Sequence, residues 1–193
     1  DADSFGQAHI PGAIFIGVDG GFAPWVGALI TDINQPIVLV TPEGREQETI
    51  TRLARVGYDN TLGYLAGSMQ SWIDAGFETA AIGRITATEL ETLMNNGEES
   101  VIDVRKPGEY NSAHIANVPN LPLDFINEHV ADFPSKKTTY LHCAGGYRSM
   151  IAASILKARG FHNMIDVIGG FGQIKNTGLP MFTQECTSTC STK

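Results

Sequence analysis

The amino-acid sequence predicts an α/β fold made of two tandem domains, each a mainly parallel sheet flanked by helices. Two observations predict it. Short segments of the first half recur in the second half in the same order, with a period of about 100 residues. Within the second half, short apolar runs alternate with helical patterns, which is typical of parallel strands joined by helices.

The internal repeat is carried by three pairs of segments. They are 5–13 with 110–118, 55–60 with 158–163, and 64–72 with 167–175. The first pair has an offset of 105 and aligns His9 with His114, and the other two have an offset of 103. Because this period is longer than that of a solenoid repeat, each copy is a whole domain. We therefore divide the chain into domains 1–83 and 84–180 and a polar tail, 181–193.

The first copy starts late relative to the second. At an offset of 105, Asp1 aligns with Lys106, so the counterparts of residues 84–105 would precede residue 1. We expect the first domain to be truncated at its N-terminus, with a sheet that lacks one parallel strand and exposes an apolar groove.

Strands and helices alternate through the second copy. Thr86 and Glu89 have the spacing of a capping box, which predicts the start of a helix. The predicted elements are this helix to Gly97, a strand at 100–104, an amphipathic helix at 125–133 ended by Pro134, a strand at 138–142, a helix at 149–160 and a strand at 164–168. Sites in such sheets lie at the carboxyl ends of the strands, which is the position of Cys143.

The net charge of −8 is concentrated in the first domain. Residues 1–83 hold ten acidic residues against three arginines, whereas residues 84–193 hold eleven acidic against ten basic residues. The acidic first half argues against a nucleic acid partner. No apolar run approaches the roughly 18 residues of a membrane span. Three cysteines, two of them in the tail, are not a disulfide framework and favour a reducing, cytoplasmic compartment.

The stretch HCAGGYRSM, residues 142–150, places a cysteine between an apolar strand and a helix. Gly145 and Gly146 permit a tight loop whose backbone N–H groups bind an anion, and the helix start adds its positive end. Both features favour the Cys143 thiolate, the form that attacks sulfur. Arg148 supplies positive charge and a planar fork for an anionic donor. An isolated cysteine would more often pack in the core, but these features together reverse that interpretation.

The loop C-x-x-G-x-R-S resembles the active-site loop of rhodanese-type sulfurtransferases. A second signature of that family is matched by Asp103 and Arg105, by Glu109 and Tyr110, and by Ala113, His114 and Ile115. The segment GGF at 169–171 resembles the late glycine turn of the family. The resemblance covers nearly all of residues 84–180. It implies the rhodanese fold and a persulfide intermediate on Cys143.

Loop length separates this interpretation from a phosphatase. Related phosphatases and arsenate reductases have five residues between the cysteine and the arginine, which form a cradle for a tetrahedral oxyanion. Four residues intervene here, which resembles the sulfur-transferring branch, where the cradle holds a single persulfide sulfur. We therefore expect Cys143 and Arg148 to be catalytic. The expected substrate-binding residues are Ala144, Gly145, Gly146, Tyr147 and Ser149, although an exposed loop aromatic is an equal alternative for Tyr147.

Several other polar residues are expected to be structural. Asp103 and Arg105 form a suitable clamp between a strand end and the neighbouring loop. His114 lies in a segment that both copies share, although only one copy has the cysteine, so a structural role follows. His142 adjoins the nucleophile but, on an alternating strand, should point away from it.

The first copy has no cysteine at the matching position. Its strand at 36–40 runs into TPEGREQ, with valine or threonine where the second copy has Cys143. This resembles the non-catalytic first half of tandem rhodaneses. A cysteine-less copy followed by CAGGYRSM also resembles the carboxyl-terminal part of bacterial fusions between a metallo-β-lactamase-fold persulfide dioxygenase and rhodanese. That likeness implies an iron site in an upstream domain and no metal or cofactor in these 193 residues; a standalone tandem sulfurtransferase is the competing context.

We predict a sulfurtransferase that moves sulfane sulfur from thiosulfate or a low-molecular-weight persulfide such as glutathione persulfide to a thiol, sulfite or cyanide through a Cys143 persulfide. The alternative is a rhodanese-fold interaction or sulfide-sensing module without meaningful turnover. Cys186 and Cys190 are expected to be incidental thiols of a mobile tail. The expected partners are small sulfur donors and acceptors, with no nucleic acid and no membrane, and a homo-oligomer is left open.

Overall fold

Two parallel sheets, one in each half of the chain, form the framework of the protein. A computed structural model describes residues 1–97 and 100–184. The first half contributes α1 (Ala2–Gln7), α2 (Phe22–Leu29), β1 (Ile37–Leu39), α3 (Glu46–Ala54), β2 (Thr61–Tyr64) and α4 (Ser68–Asp74). The second half contributes β3 (Gly83–Ile85), α5 (Ala87–Asn95), β4 (Ser100–Asp103), α6 (Pro107–Ser112), β5 (Ala113–Ile115), α7 (Ile126–His129), β6 (Thr139–His142), α8 (Tyr147–Ala158), β7 (Met164–Val167), α9 (Gly170–Ile174) and β8 (Met181–Thr183).

The sheets confirm the predicted tandem α/β fold. Strands β1 and β2 pair in parallel in the first half. In the second half four parallel strands take the order β3-β7-β6-β4, so that β6 and β7 lie inside the sheet. A short antiparallel pair, β5 and β8, lies beside them. Non-consecutive neighbours of this kind require helical crossovers, as the alternating pattern predicts.

Most predicted elements of the second copy are confirmed. The Thr86 hydroxyl accepts from the Glu89 backbone N–H at 3.2 Å, and the Glu89 carboxylate accepts from the Thr86 N–H at 2.7 Å, which completes the capping box of α5. That helix ends at Asn95, and Gly97 follows with φ of +98°. The α8 helix starts at Tyr147, two residues earlier than predicted, because Gly146 is its N-cap.

Two segments differ from their predictions. Residues 125–133 do not form one amphipathic helix: the single-turn α7 lies between 3₁₀ turns at Leu123–Phe125 and Val130–Asp132. This segment is rich in residues of low helix propensity, so packing decides its path. The first residues of the predicted polar tail form β8, whose Phe182 lies opposite His114 of β5.

The two halves share one hydrophobic core. Phe15 and Leu29 of the first half are buried in the same cluster as Leu141, Met150 and Ile155 of the second half. Helix α1 packs against α8, and α2 packs against the 3₁₀ turn that precedes α7. Burial of large apolar side chains across this boundary stabilises both halves together.

The two copies repeat one aromatic detail. The His9 ring stacks on Phe5 with a centroid distance of 4.1 Å, and its Nδ1 bonds to the Phe5 carbonyl at 2.9 Å. The His114 ring stacks on Tyr110 at 3.7 Å, and its Nδ1 bonds to the Tyr110 carbonyl at 2.8 Å. Each histidine therefore makes the same two contacts with the helix that precedes it.

The first domain has a smaller sheet than the second. Residues 1–82, all of them described, contribute two strands, against four in the second domain's parallel sheet. Val38 and Leu62 of these strands are 65% and 67% exposed. In the second domain, Leu90 of α5 and Ile174 of α9 are buried in one cluster with Val101 and Val167 of the sheet. Within the described ranges no helix is long and apolar enough to span a membrane.

Candidate active site

Cys143 lies where a central strand becomes a helix. It follows β6 directly and is 1% exposed. Three residues later Gly146 turns the chain with φ of +95° and becomes the N-cap of α8. Only glycine adopts this dihedral without strain, so the glycine permits the strand to pass into the helix through so short a loop.

Two polar groups lie next to the Cys143 sulfur. The backbone N–H of Gly146 donates to Sγ at 3.1 Å, and the Ser149 Oγ lies 3.5 Å from Sγ. Both come from the first turn of α8, where the helix dipole favours negative charge. Hydrogen bonds from an N–H and a helix N-terminus stabilise a thiolate relative to a thiol.

The glycine turn at 169–171, which follows β7, forms backbone hydrogen bonds with the loop that carries Cys143. The Phe171 N–H donates to the Cys143 carbonyl at 2.6 Å, and the Gly172 N–H donates to the Ala144 carbonyl at 2.9 Å. Among the described residues, nothing accepts from the backbone N–H groups of Ala144, Gly145 or Arg148. These three donors are therefore available to an anionic sulfur or oxygen bound in the loop.

Arg148 is held by an acid from another element. Its guanidinium donates to both oxygens of Glu109 in α6, at 2.6 and 2.7 Å. This pair lowers the pKa of Glu109 and raises the pKa of Arg148. A donor anion that bound the guanidinium would compete with Glu109. The motif of Glu109 and Tyr110 was visible in the sequence, but its pairing with Arg148 was missed.

Tyr147 is partly buried, and its side chain contacts the first domain. Its hydroxyl donates to the Gly17 carbonyl at 2.8 Å, and its ring packs edge-on against Phe15 with centroids 5.7 Å apart. Burial raises the pKa of Tyr147 to about 12. A Cβ at Gly20 would lie 2.4 Å from the tyrosine ring. The first domain therefore contacts the active loop directly, a contact for which the sequence carries no local signal.

Asp103 and Arg105, the expected clamp, form an ion pair beside the glycine turn. Arg105 donates to the Asp103 carboxylate at 2.6 and 2.9 Å and to the Ala113 carbonyl at 2.7 Å. Its guanidinium lies 3.9 Å from the centre of the Phe171 ring. The pair thus joins the end of β4 to β5 and to the glycine turn, without contact with the Cys143 sulfur.

His142 adjoins Cys143 along the chain but faces the clamp. Its Nε2 lies 3.9 Å from Asp103 Oδ2, and its ring stacks on Phe171 at 6.3 Å. Neither ring nitrogen has a hydrogen-bond partner among the described residues. Burial lowers the pKa of His142, so the ring is neutral near pH 7.

Asp166 is a site residue that the sequence analysis missed. It is fully buried in β7, where its Oδ1 accepts from the Ser149 hydroxyl at 2.6 Å. Its Oδ2 accepts from Arg84 Nε at 3.0 Å. The sequence carried one signal for this role, an acidic residue inside an otherwise apolar strand. Such a residue indicates a polar partner, because a buried charge needs one.

The remaining residues that the sequence analysis discussed lie at the mouth of the loop, in the first domain or in the tail. Ala144 and Gly145 are exposed at the mouth of the loop. Val40 and then Thr41 follow strand β1 of the first domain, so neither of the two candidate positions holds a thiol. Cys186 and Cys190 lie outside the described residues. Over residues 1–97 and 100–184, no group of three or more His, Cys, Asp or Glu side chains could hold a metal ion.

Two curated proteins and one solved structure illustrate what parts of this chain are similar to. The uncharacterized protein YqhL of Bacillus subtilis (strain 168) is 33% identical over 94 residues, which cover 47% of this chain and 75% of YqhL. The probable adenylyltransferase/sulfurtransferase MoeZ of Mycobacterium tuberculosis (strain ATCC 25618 / H37Rv) is 33% identical over 100 residues, which cover 50% of this chain but only 26% of MoeZ. A crystal structure of a rhodanese-like domain protein from Staphylococcus aureus matches 54% of this chain and 100% of its own, with 28% identity and a TM-score of 0.48.

The family model described as Rhodanese-like domain matches residues 1–75 and 86–177. These two ranges correspond to the two copies of the internal repeat, and together they cover most of the chain. The chain therefore belongs to the family of rhodanese-like domain proteins.

Proposed function

We propose that the protein is a sulfurtransferase that carries sulfane sulfur as a persulfide on Cys143. The observation that supports this most is the setting of the thiol. The Cys143 sulfur accepts from the Gly146 N–H at 3.1 Å, at the start of α8 and beside backbone donors that have no acceptor among the described residues. Such a setting stabilises both a thiolate and the terminal sulfur of a persulfide. A relative named as a sulfurtransferase points the same way.

The reaction needs no external oxidant. The Cys143 thiolate attacks the outer sulfur of thiosulfate, an S–S bond forms, and sulfite leaves with the electron pair of the bond that breaks. The acceptor, a thiolate, sulfite or cyanide, then attacks the outer sulfur of the persulfide and releases the Cys143 thiolate. The backbone donors of the loop hold the negative sulfur between the two steps.

The short loop favours sulfur over phosphate. Four residues separate Cys143 from Arg148, and the guanidinium is already engaged by both oxygens of Glu109. A tetrahedral phosphate needs several free donors around three oxygens, whereas one persulfide sulfur needs only the nearby N–H groups. Thiosulfate and glutathione persulfide are the donors we propose. A separate proposal, based on the cysteine-less copy followed by CAGGYRSM, is a persulfide dioxygenase domain upstream of these residues. Sequencing the gene upstream of the codon for Asp1 tests it.

The first experiment measures persulfide formation and turnover separately. After incubation with thiosulfate, intact-protein mass spectrometry should find one added sulfur, and steady-state assays should show transfer to cyanide and sulfite. Cys143→Ser should lose both signals. The matched control, Cys186→Ser with Cys190→Ser, should keep both, and loss of transfer in that control would refute the assignment of Cys143 as the essential thiol.

A module without turnover is the second candidate. It is favoured by the burial of Cys143, which is 1% exposed, and by the engagement of Arg148 with Glu109. This candidate predicts that the persulfide forms or binds but that sulfur does not pass to any of the three acceptors.

A further inference from the structure

The Ser149 side chain lies between the Asp166 carboxylate and the Cys143 thiol, and both can form a hydrogen bond with its hydroxyl. A serine hydroxyl has one hydrogen to donate. The Ser149 oxygen lies 2.6 Å from Asp166 Oδ1 and 3.5 Å from Cys143 Sγ, so the shorter contact, with the carboxylate, takes that hydrogen. All three side chains are at most 1% exposed, so water does not replace these contacts. While Asp166 is ionised, Ser149 can only accept from the Cys143 thiol, and it cannot stabilise the thiolate.

The charges around Asp166 come from two further elements. Arg84 of β3 donates to Oδ2 at 3.0 Å and also to Asp3 of α1 at 2.5 Å. One arginine thus serves two carboxylates, and only Asp166 is buried. Burial raises the pKa of Asp166, and the hydrogen bonds from Ser149 and Arg84 offset only part of this rise. The carboxyl group is therefore able to hold a proton at a higher pH than an exposed aspartate can.

We propose that Cys143 and Asp166 share one proton through Ser149, so that Asp166 takes up the thiol proton when Cys143 becomes a thiolate. The S–H bond breaks as the Ser149 oxygen gains that proton, and the hydroxyl proton passes to Asp166 Oδ1. Ser149 then donates to the thiolate, and the neutral Asp166 donates to Ser149. The net charge of the group does not change. The proton returns along the same path after the persulfide sulfur has left.

Asp166 is a positioning residue in this scheme, because it acts on Cys143 only through Ser149. The inference rests on the proposed function in treating Cys143 as the working thiol. Its test, however, needs no sulfur donor, so its outcome is independent of whether transfer occurs. The measured quantity is the ionisation of Cys143 against pH.

The test follows the ultraviolet absorbance of the thiolate in a chain whose Cys186 and Cys190 are replaced by serine, with the matching Cys143→Ser protein subtracted. Two groups that share a proton titrate together, so the thiolate should appear over a broad pH range in two steps. Asp166→Asn cannot take the proton and carries no charge. We expect a single step whose midpoint lies about one pH unit lower, which is about tenfold more thiolate at pH values below both midpoints. The same midpoint and width in both proteins would overturn the proposal.

Ser149→Ala supplies the matched control for the route. If coupling runs through the hydroxyl, Asp166→Asn should shift the midpoint by no more than about 0.3 pH unit once Ser149 is alanine. An equal shift in both backgrounds would show simple charge repulsion and overturn the route. Should Asp166→Asn fail to fold by circular dichroism, Ser149→Ala alone decides, because it should convert the two-step titration into one step. A persistent two-step titration in that variant would refute the shared proton.

Discussion

A single methyl group at Gly170 tests how the active loop is held. Gly170 has φ of +52°, and a Cβ there would lie 2.3 Å from the Cys143 carbonyl oxygen and 2.9 Å from its carbonyl carbon. These are backbone atoms, so no side-chain rotation relieves the contact. To reach an ordinary separation of 3.4 Å, the glycine turn has to move away from the loop by roughly 1 Å.

The size of the effect follows from the bonds that this movement breaks. The Phe171 N–H donates to Cys143 at 2.6 Å and the Gly172 N–H to Ala144 at 2.9 Å, and each bond contributes about 1 kcal/mol. A left-handed alanine costs about 1 kcal/mol more. We therefore expect Gly170→Ala to lower the free energy of unfolding by about 3 kcal/mol. A displacement of about 1 Å at the sulfur should slow persulfide formation about 100-fold.

Urea denaturation and the rate of persulfide formation measure the two effects. The matched control is Gly27→Ala, since Gly27 lies in α2 and a Cβ there meets nothing within 4 Å. This control should raise the free energy of unfolding by about 0.5–1 kcal/mol and leave transfer unchanged. The reasoning would be refuted if Gly170→Ala matched the wild type in both measurements, because the loop would then not depend on the glycine turn.

Three further predictions concern other parts of the molecule. Arg148→Lys keeps the charge but loses the two-point contact with Glu109, so steady-state kinetics should show slower transfer with a higher KM for thiosulfate; unchanged kinetics would leave Arg148 a structural role. Burial lowers the pKa of His142, so only the unfolded chain gains its proton as the pH falls below 6.5. The free energy of unfolding should therefore decrease there by at most about 1.4 kcal/mol per pH unit, and His142→Leu should reduce this slope in urea titrations. Fluorescence of Trp25 and Trp72, both in the first domain, should report the same unfolding transition as circular dichroism, because Trp25 packs against the shared core; separate transitions would contradict this.

The sequence predicts well where the information is local. The capping box of Thr86 and Glu89, the strand before Cys143 and the glycine that ends α8 each depend on residues within about one turn of one another. The loop between Cys143 and Arg148 is equally local, since its length and its glycines determine its shape. Segment 125–133 shows the limit of this approach. Its apolar spacing suits a helix, but its low propensity leaves the outcome to packing.

The site contacts that were missed join residues far apart along the chain. Ser149 and Asp166 are 17 residues apart, Arg148 and Glu109 are 39 apart, and the Tyr147 hydroxyl reaches a carbonyl 130 residues away. No periodicity or spacing rule encodes such pairs, because the order of strands and the packing of the two domains bring them together. A buried acid in an apolar strand or a glutamate in a motif indicates that a partner exists, but it does not identify the partner.

The first domain contributes to the site although Val40 and Thr41, at the end of its strand β1, provide no thiol. The Gly17 carbonyl accepts a hydrogen bond from the Tyr147 hydroxyl. Asp3 accepts from Arg84, which also donates to Asp166. One contact holds Tyr147 at the start of α8, and the other sets the charge behind Ser149. A repeat without a nucleophile can therefore keep a defined chemical effect, since it shapes and polarises the site of its neighbour.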